Sequence, residues 1–126
     1  MRKLIYLVIL ILVGVAAPGM LVAQEVVDET DVDSGVVEIT VTSRGMRFAP
    51  SEIRVREGVT VRLTYENGGG GHDWVLDEFD ARTDFLRGGE SDTIEFVADS
   101  AGEFEYYCSV PGHRAQGMWG TLVVEE

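Results

Sequence analysis

From residue 36 onward, apolar and polar residues alternate along the chain with a period of two. Valine or isoleucine alternates with glutamate and threonine over residues 37–42, and similar alternation recurs over residues 59–65 and 103–108. This period is typical of strands with one buried face, and glycine, proline, asparagine or aspartate separates about seven or eight such segments. Only residues 77–86 could contain a helical turn. The pattern therefore predicts an all-β domain, folded as an antiparallel sandwich or barrel.

The first 23 residues have the composition of an export signal. Arg2 and Lys3 precede an apolar stretch at residues 4–15, a Pro-Gly pair then breaks it, and Ala23 offers a small residue for cleavage. An uncleaved anchor is the alternative, because residues 4–23 are long enough to span a bilayer. In either case we expect the rest of the chain to be periplasmic or extracellular, with membrane contact only if the segment stays uncleaved.

The chain is strongly acidic, which excludes one class of partner and marks a segment before the domain. The 126 residues include 22 acidic and 10 basic side chains, for a net charge of −12. Nucleic acid is excluded as a partner because its phosphates require a basic surface. Residues 24–35 are acidic and poor in large apolar groups, which predicts a flexible tether before a single domain at residues 36–126. Because the acidity is spread along the chain, we expect it to serve solubility; attraction to a basic redox partner is the alternative.

The scarce side chains fall into one pattern. Cys108 is the only cysteine, and His72 and His113 are the only histidines. A single cysteine excludes an intramolecular disulfide, a CxxC redox pair and a four-cysteine zinc site. Four residues separate Cys108 from His113, and four more separate His113 from Met118, in a turn-rich loop that can direct three side chains to one point. In a sandwich, the loop that carries His72 can reach the same end.

A thiolate, two imidazoles and a thioether form a soft donor set that suits copper in both oxidation states. Zinc would accept the first three ligands, but a methionine is a poor fourth one. Met46 is a rival axial donor to Met118, although its place beside the first strands favours a role in the core. A sandwich without metal is a further alternative, because an isolated cysteine or methionine is usually a buried apolar residue. A nucleophile–base pair of Cys108 and His113 is the weaker hypothesis, since ligation also accounts for Met118 and His72.

Together these motifs resemble the cupredoxins, the small blue copper proteins. The resemblance spans residues 36–126 and is carried by the segment at residues 46–55, the Gly-His-Asp-Trp motif at residues 71–74 and the loop at residues 108–118. It implies a Greek-key β-sandwich of about eight strands that holds one type 1 copper ion. The spacing of the ligand loop is most similar to that of auracyanins and is close to that of azurins. The implied copper ligands are His72, Cys108, His113 and, axially, Met118, with the Gly71 carbonyl as a distant fifth contact.

The resemblance also implies a function. Cupredoxins carry single electrons between redox proteins, so we expect a monomer with no enzymatic activity and partners such as a cytochrome or a membrane oxidoreductase. His113 lies in the middle of its loop and is the expected electron port, inside an apolar docking surface formed by Val110, Pro111, Ala115 and Trp119. A copper chaperone or copper-buffering protein would use similar ligands and is the alternative.

Three neighbouring features leave structural questions. Asp73 stands where azurin-like members have an asparagine that ties the two ligand loops together, which leaves the geometry and charge of a tie to Ser109 open. The glycine run at residues 68–71 is compatible with a flexible connection or with close approach of the backbone to the metal. Tyr106, two residues before Cys108, is interpreted as a tyrosine corner with an architectural role.

Overall fold

The computed structural model describes residues 25–126, and the predicted signal segment at residues 1–23 lies outside them. The described chain forms ten strands and two single-turn 3₁₀ helices, at Asp77–Phe79 and Arg114–Gln116. None of its helices has the length and hydropathy needed to span a bilayer. The strands are β1 (Val26–Asp28), β2 (Val36–Arg44), β3 (Arg47–Ala49), β4 (Glu52–Arg56), β5 (Thr60–Asn67), β6 (Val75–Leu76), β7 (Ala81–Arg82), β8 (Ser91–Val97), β9 (Gly102–Tyr107) and β10 (Trp119–Glu125).

The strands form two sheets that pack face to face. One sheet has the order β1-β4-β10-β9-β6-β7, and the other has the order β3-β2-β5-β8. Along β2 and β5 every second side chain is buried in the space between the sheets, as the period of two requires. The expected all-β sandwich is therefore confirmed, and the single turn at Asp77–Phe79 lies inside the segment for which a helical turn was predicted.

The sandwich is mixed rather than antiparallel, which corrects the sequence expectation. β4 pairs in parallel with both β1 and β10, and β2 pairs in parallel with β5. The reason is that the chain passes through β4 of the opposite sheet between β3 and β5, and such a crossover brings β5 beside β2 in the same direction.

The predicted tether is partly folded. Within residues 24–35, Val26–Asp28 forms β1 on the edge of the larger sheet, and the Glu25 carbonyl accepts a hydrogen bond from the Ser51 amide at 2.9 Å. Val32 also packs against the core. The acidic composition of this segment did not predict a strand. The strand is stabilised by pairing with β4, which is distant in sequence.

Large aromatic side chains fill the centre of the sandwich. Trp74, Tyr65 and Tyr106 are fully buried, and the rings of Trp74 and Tyr106 are 5.3 Å apart. The Tyr106 hydroxyl donates to the Pro50 carbonyl at 2.6 Å. Tyr106 is thus architectural, but its acceptor precedes β4 instead of lying a few residues upstream as in a tyrosine corner.

We call the end of the sandwich where β2, β5 and β9 end and β8 and β10 begin the ligand end. The two loops that carry the predicted ligands lie here, after β5 and between β9 and β10. The fold therefore places residues 68–73 and 108–118 side by side.

Candidate metal centre

His72 is fixed through its backbone. Its amide donates to the Leu86 carbonyl at 3.0 Å, and its carbonyl accepts from the Leu86 amide at 2.8 Å. The residue is 3% exposed. Because this pair of hydrogen bonds joins His72 to the segment that leads into β8, the backbone that carries the imidazole has little freedom to move.

Two of the glycines before His72 lie where an added side chain would meet a neighbouring group. A Cβ atom on Gly68 would lie 2.4 Å from the Ser43 carbonyl oxygen, and one on Gly71 would lie 2.4 Å from the Phe85 ring. Gly70 has a φ of +71°, in the region that favours glycine. The close contacts are with the backbone of β2 and with the ring of Phe85, so an approach of this backbone to the metal stays a prediction.

Asn67 is a positioning residue that the sequence analysis missed. Its side chain is buried, and its amide nitrogen donates to the carbonyls of Gly70 at 2.8 Å and Leu86 at 2.9 Å. Its oxygen accepts from the Gly69 amide at 3.1 Å and from the Ser43 hydroxyl at 3.0 Å. The available signal was that Asn67 is the only asparagine of the chain and directly precedes the glycine run.

The second loop folds Cys108, His113 and Met118 together through its own backbone. The Cys108 amide donates to the Met118 carbonyl, and the Met118 amide donates to the His113 carbonyl, both at 3.1 Å. Between them, the 3₁₀ turn Arg114–Gln116 ends at Gly117, which has a φ of +105°. The four-and-four spacing therefore corresponds to one closed, hydrogen-bonded loop.

The three predicted strong ligands converge on one point. The Nδ1 atoms of His72 and His113 are 3.0 Å apart, and the Cys108 Sγ atom lies 3.8 Å from the first and 3.5 Å from the second. A point equidistant from three atoms at these separations lies about 2 Å from each, close to the length of a metal–nitrogen bond and slightly shorter than a metal–thiolate bond. The donor set and its spacing therefore fit a trigonal metal ion.

Burial shifts the pKa values of Cys108 and His72. It raises the pKa of the Cys108 thiol, an effect that the backbone N–H groups of Asp73 and Val110 oppose. Burial also lowers the pKa of His72, and the nearby His113 lowers it further. Since the thiolate is the form that binds a metal, metal binding must displace the thiol proton.

The weaker predicted ligands differ in how the structure places them. Met118 is fully buried, and its backbone is bonded to the residues that carry the thiol and one imidazole. Gly71 is half-buried and directly precedes His72. Met46 is half-buried in the turn between β2 and β3 and packs against the core, as expected for an apolar filler.

Asp73 joins the two loops, as the asparagine of azurin-like proteins is expected to do. The Ser109 amide donates to its Oδ1 atom at 2.7 Å, and the Ser109 hydroxyl donates to its Oδ2 atom. An Nη2 atom of Arg82 lies 3.5 Å from Oδ2. Arg82, in β7, is a second residue that the sequence analysis missed, because nothing in its sequence position indicates a partner beside the ligand loops.

Comparison with known proteins gives a consistent result. A family model described as copper-binding proteins of the plastocyanin/azurin family matches residues 35–125. The solved structure of auracyanin A, a "blue" copper protein from Chloroflexus aurantiacus, superposes with a TM-score of 0.64 at 26% identity, covering 71% of this chain and 99% of that one.

Two relatives have higher sequence identity. Halocyanin from Natronomonas pharaonis is 36% identical over 104 residues, covering 80% of this chain and 62% of halocyanin. The copper-resistant cuproprotein CopI from Rubrivivax gelatinosus is also 36% identical over 104 residues, covering 67% of this chain and 63% of CopI. The chain thus spans less than two thirds of the length of either relative.

Proposed function

The chain belongs to the plastocyanin/azurin family of copper-binding proteins, so copper is its metal, and from this premise we propose that it carries single electrons between redox proteins. The observation that supports this function best is the convergence of two imidazole nitrogens and one thiol sulfur within 3.8 Å of one another. The bound copper ion supplies a one-electron couple between Cu(I) and Cu(II).

In this proposal His72, Cys108 and His113 are the three strong ligands and Met118 is the axial one, with the Gly71 carbonyl as a more distant contact. The hydrogen bonds that fix the backbones of His72 and Met118 hold the donors in one arrangement. A centre held in this way changes little in shape when its charge changes, which favours fast electron exchange. Four donors from the protein leave no position for a substrate, so the proposed activity is electron carriage without catalysis.

The proposed path for the electron is the His113 imidazole. This residue is half-buried, whereas His72 is buried, so of the two rings that of His113 reaches solvent more readily. Pro111 and Ala115 are exposed on the same loop, and Trp119, which begins β10, is 49% exposed. These side chains support an apolar docking surface for a redox protein such as a cytochrome or a membrane oxidoreductase.

The experiment that tests this function combines metal analysis with a redox cycle. Purified protein should contain one copper per chain, show an intense visible band when oxidised, and keep its copper through repeated reduction and oxidation. Cys108→Ser should lose the band, because a serine oxygen cannot provide the copper–thiolate charge transfer. Ser100→Ala, an exposed change at the opposite end of the sandwich, is the control. A Cys108→Ser protein that stays blue would show that the ligand assignment is wrong.

Copper handling is the second candidate function, supported by the 36% identity to the copper-resistant cuproprotein CopI. A chaperone or buffering protein surrenders copper to a partner, whereas an electron carrier retains it in both oxidation states. Challenging the reduced protein with a Cu(I) chelator separates the two functions. Rapid loss of copper on reduction would favour copper handling over electron carriage.

We also propose that the protein acts outside the cytoplasm, on the basis of the signal-like residues 1–23. Mass spectrometry of protein from the exported fraction should find a chain that begins at Gln24. An intact N-terminus in the membrane fraction would instead favour the uncleaved anchor.

A further inference from the structure

The residue that follows His72 places a buried negative charge between the two ligand loops. Asp73 is 6% exposed, and its two carboxylate oxygens accept hydrogen bonds from the amide and the hydroxyl of Ser109, the residue that follows Cys108. A neutral asparagine could make the amide contact equally well. The carboxylate therefore adds something that the tie itself does not require, which is charge.

A buried carboxylate needs compensation, and the structure provides it. Removing a carboxylate from water costs free energy unless hydrogen bonds or a cation replace the lost hydration. Among residues 25–126, the one ion-pair partner of Asp73 is Arg82, with 3.5 Å between Nη2 and Oδ2. The Asp73 side chain is 8% exposed and the Arg82 side chain is 62% exposed. The pair thus has one end beside the metal centre and the other end in solvent.

We propose that Arg82 is the counter-charge of Asp73 and that this pair tunes the reduction potential of the copper centre. The proposal rests on the proposed electron-carrier function. A carboxylate near the centre favours the more highly charged cupric ion, and a neighbouring guanidinium offsets that preference. Asp73 lowers the potential, and Arg82 raises it again by cancelling part of the carboxylate's field. Because Arg82 faces solvent, salt weakens its effect more than that of the buried carboxylate.

The pair can first be tested without copper, by a double-mutant cycle on the stability of the metal-free protein. Arg82→Gln should lower the free energy of unfolding because it leaves a buried carboxylate without its cation. In the Asp73→Asn background, the same Arg82→Gln change should have no effect. Arg87→Gln is the matched control, since Arg87 is an exposed arginine of the ligand end with no ion pair to Asp73. No coupling between the two positions would overturn the ion pair.

The second test is a redox titration of the copper-loaded variants. Asp73→Asn should have a higher reduction potential than the native protein, and Arg82→Gln should have a lower one. In Arg82→Gln, the ratio of reduced to oxidised protein at a fixed potential should fall about two- to fivefold. Arg82→Lys, which keeps the charge, should restore much of the native potential. The Arg82→Gln shift should shrink in the Asp73→Asn background and in molar salt.

The outcomes separate this inference from the proposed function. Equal shifts in Arg82→Gln and Arg87→Gln would overturn the inference, because they would mean that any nearby arginine has the same effect through space. A native protein without a reversible copper couple would overturn both the inference and the electron-carrier function. A normal couple that does not respond to Asp73→Asn or Arg82→Gln would overturn the inference alone.

Discussion

At the scale of single residues, the axial position is where the donor set can be changed without removing the metal. Met118 supplies a soft thioether in the proposed site, whereas an amide oxygen is a harder donor that favours cupric copper. Met118→Gln should therefore keep copper and much of the visible colour, because His72, Cys108 and His113 remain. Its reduction potential should fall, and its cupric spectrum should shift toward a more tetragonal site.

Met46→Gln is the control for that prediction, because Met46 is the other methionine of the described chain and packs against the core. Redox titration of the two variants side by side distinguishes them. A potential that changes in Met46→Gln and not in Met118→Gln would mean that the axial donor has been assigned to the wrong residue.

At this scale, the sequence predicted the metal ligands better than the residues that position them. Cys108, His72 and His113 could be predicted to converge because they are the whole stock of cysteine and histidine and two of them share a short loop. Asn67 and Arg82 could not, because their roles depend on which carbonyls and carboxylates the fold brings within reach. Asp73 is an intermediate case. The sequence raised the possibility of its contact with Ser109, but it did not indicate the ion pair with Arg82.

At the scale of elements, the glycine run between β5 and His72 contains two adjacent glycines, Gly68 and Gly69, in different surroundings. An alanine Cβ at Gly68 would lie 2.4 Å from a backbone oxygen, whereas one at Gly69 would have nothing within 4 Å. Neither residue has a positive φ. Gly68→Ala should therefore lower the free energy of unfolding by about 1–3 kcal/mol, because the backbone of β2 must shift. Gly69→Ala should be neutral or slightly stabilising.

Chemical denaturation of the metal-free proteins measures both effects, and the visible spectrum of the copper-loaded forms reports whether the loop has moved. The clash at Gly68 involves the Ser43 carbonyl, and the Ser43 side chain also bonds Asn67. A shift there should therefore reach the hydrogen bonds around His72. Equal stability of the two variants would mean that the run is a flexible connection after all.

The alternation along β2 and β5 was enough to predict these strands, because each has one face in the core and one face in solvent. β1 could not be predicted in this way, since its three residues are ordered by pairing with β4. The parallel pairs were missed for a related reason. Period-two patterns show which face of a strand is buried, but not which strand lies beside it or in which direction.

At the scale of the whole molecule, the surface around His113 should control encounters with the redox partner. Ala115 is exposed in the middle of the 3₁₀ turn that follows His113 and is not one of the proposed donors. Ala115→Gln should slow electron transfer to the partner without changing colour or potential, because a bulky polar group interrupts the apolar contact. Ser100→Gln, an exposed change at the opposite end of the sandwich, is the control. Equal rates in the two variants would exclude Ala115 from the docking surface.

Exposed arginines and exposed acidic side chains both lie at the ligand end of the folded molecule. Residues 25–126 contain eight arginines and 22 acidic side chains. Arg44, Arg47, Arg87 and Arg114 are exposed at the ligand end, and within the described chain the first three have no ion pair. Acidic side chains lie at the same end, among them Glu66, Asp84 and Glu90, so the arginines offset part of the negative charge there.

We expect electron transfer to depend only weakly on salt. The Debye length falls from about 10 Å at 0.1 M salt to about 3 Å at 1 M, so steering by the overall acidity would be nearly abolished over that range. If the acidity serves solubility and the partner docks on the apolar surface around His113, the transfer rate should change by no more than about twofold between these concentrations. Stopped-flow kinetics with the partner measures this rate, and Arg62→Gln, which alters a charge paired with Glu38 and Glu95 away from the ligand end, is the control. A steep fall in rate as salt increases would instead identify the negative surface as the attraction for a basic partner.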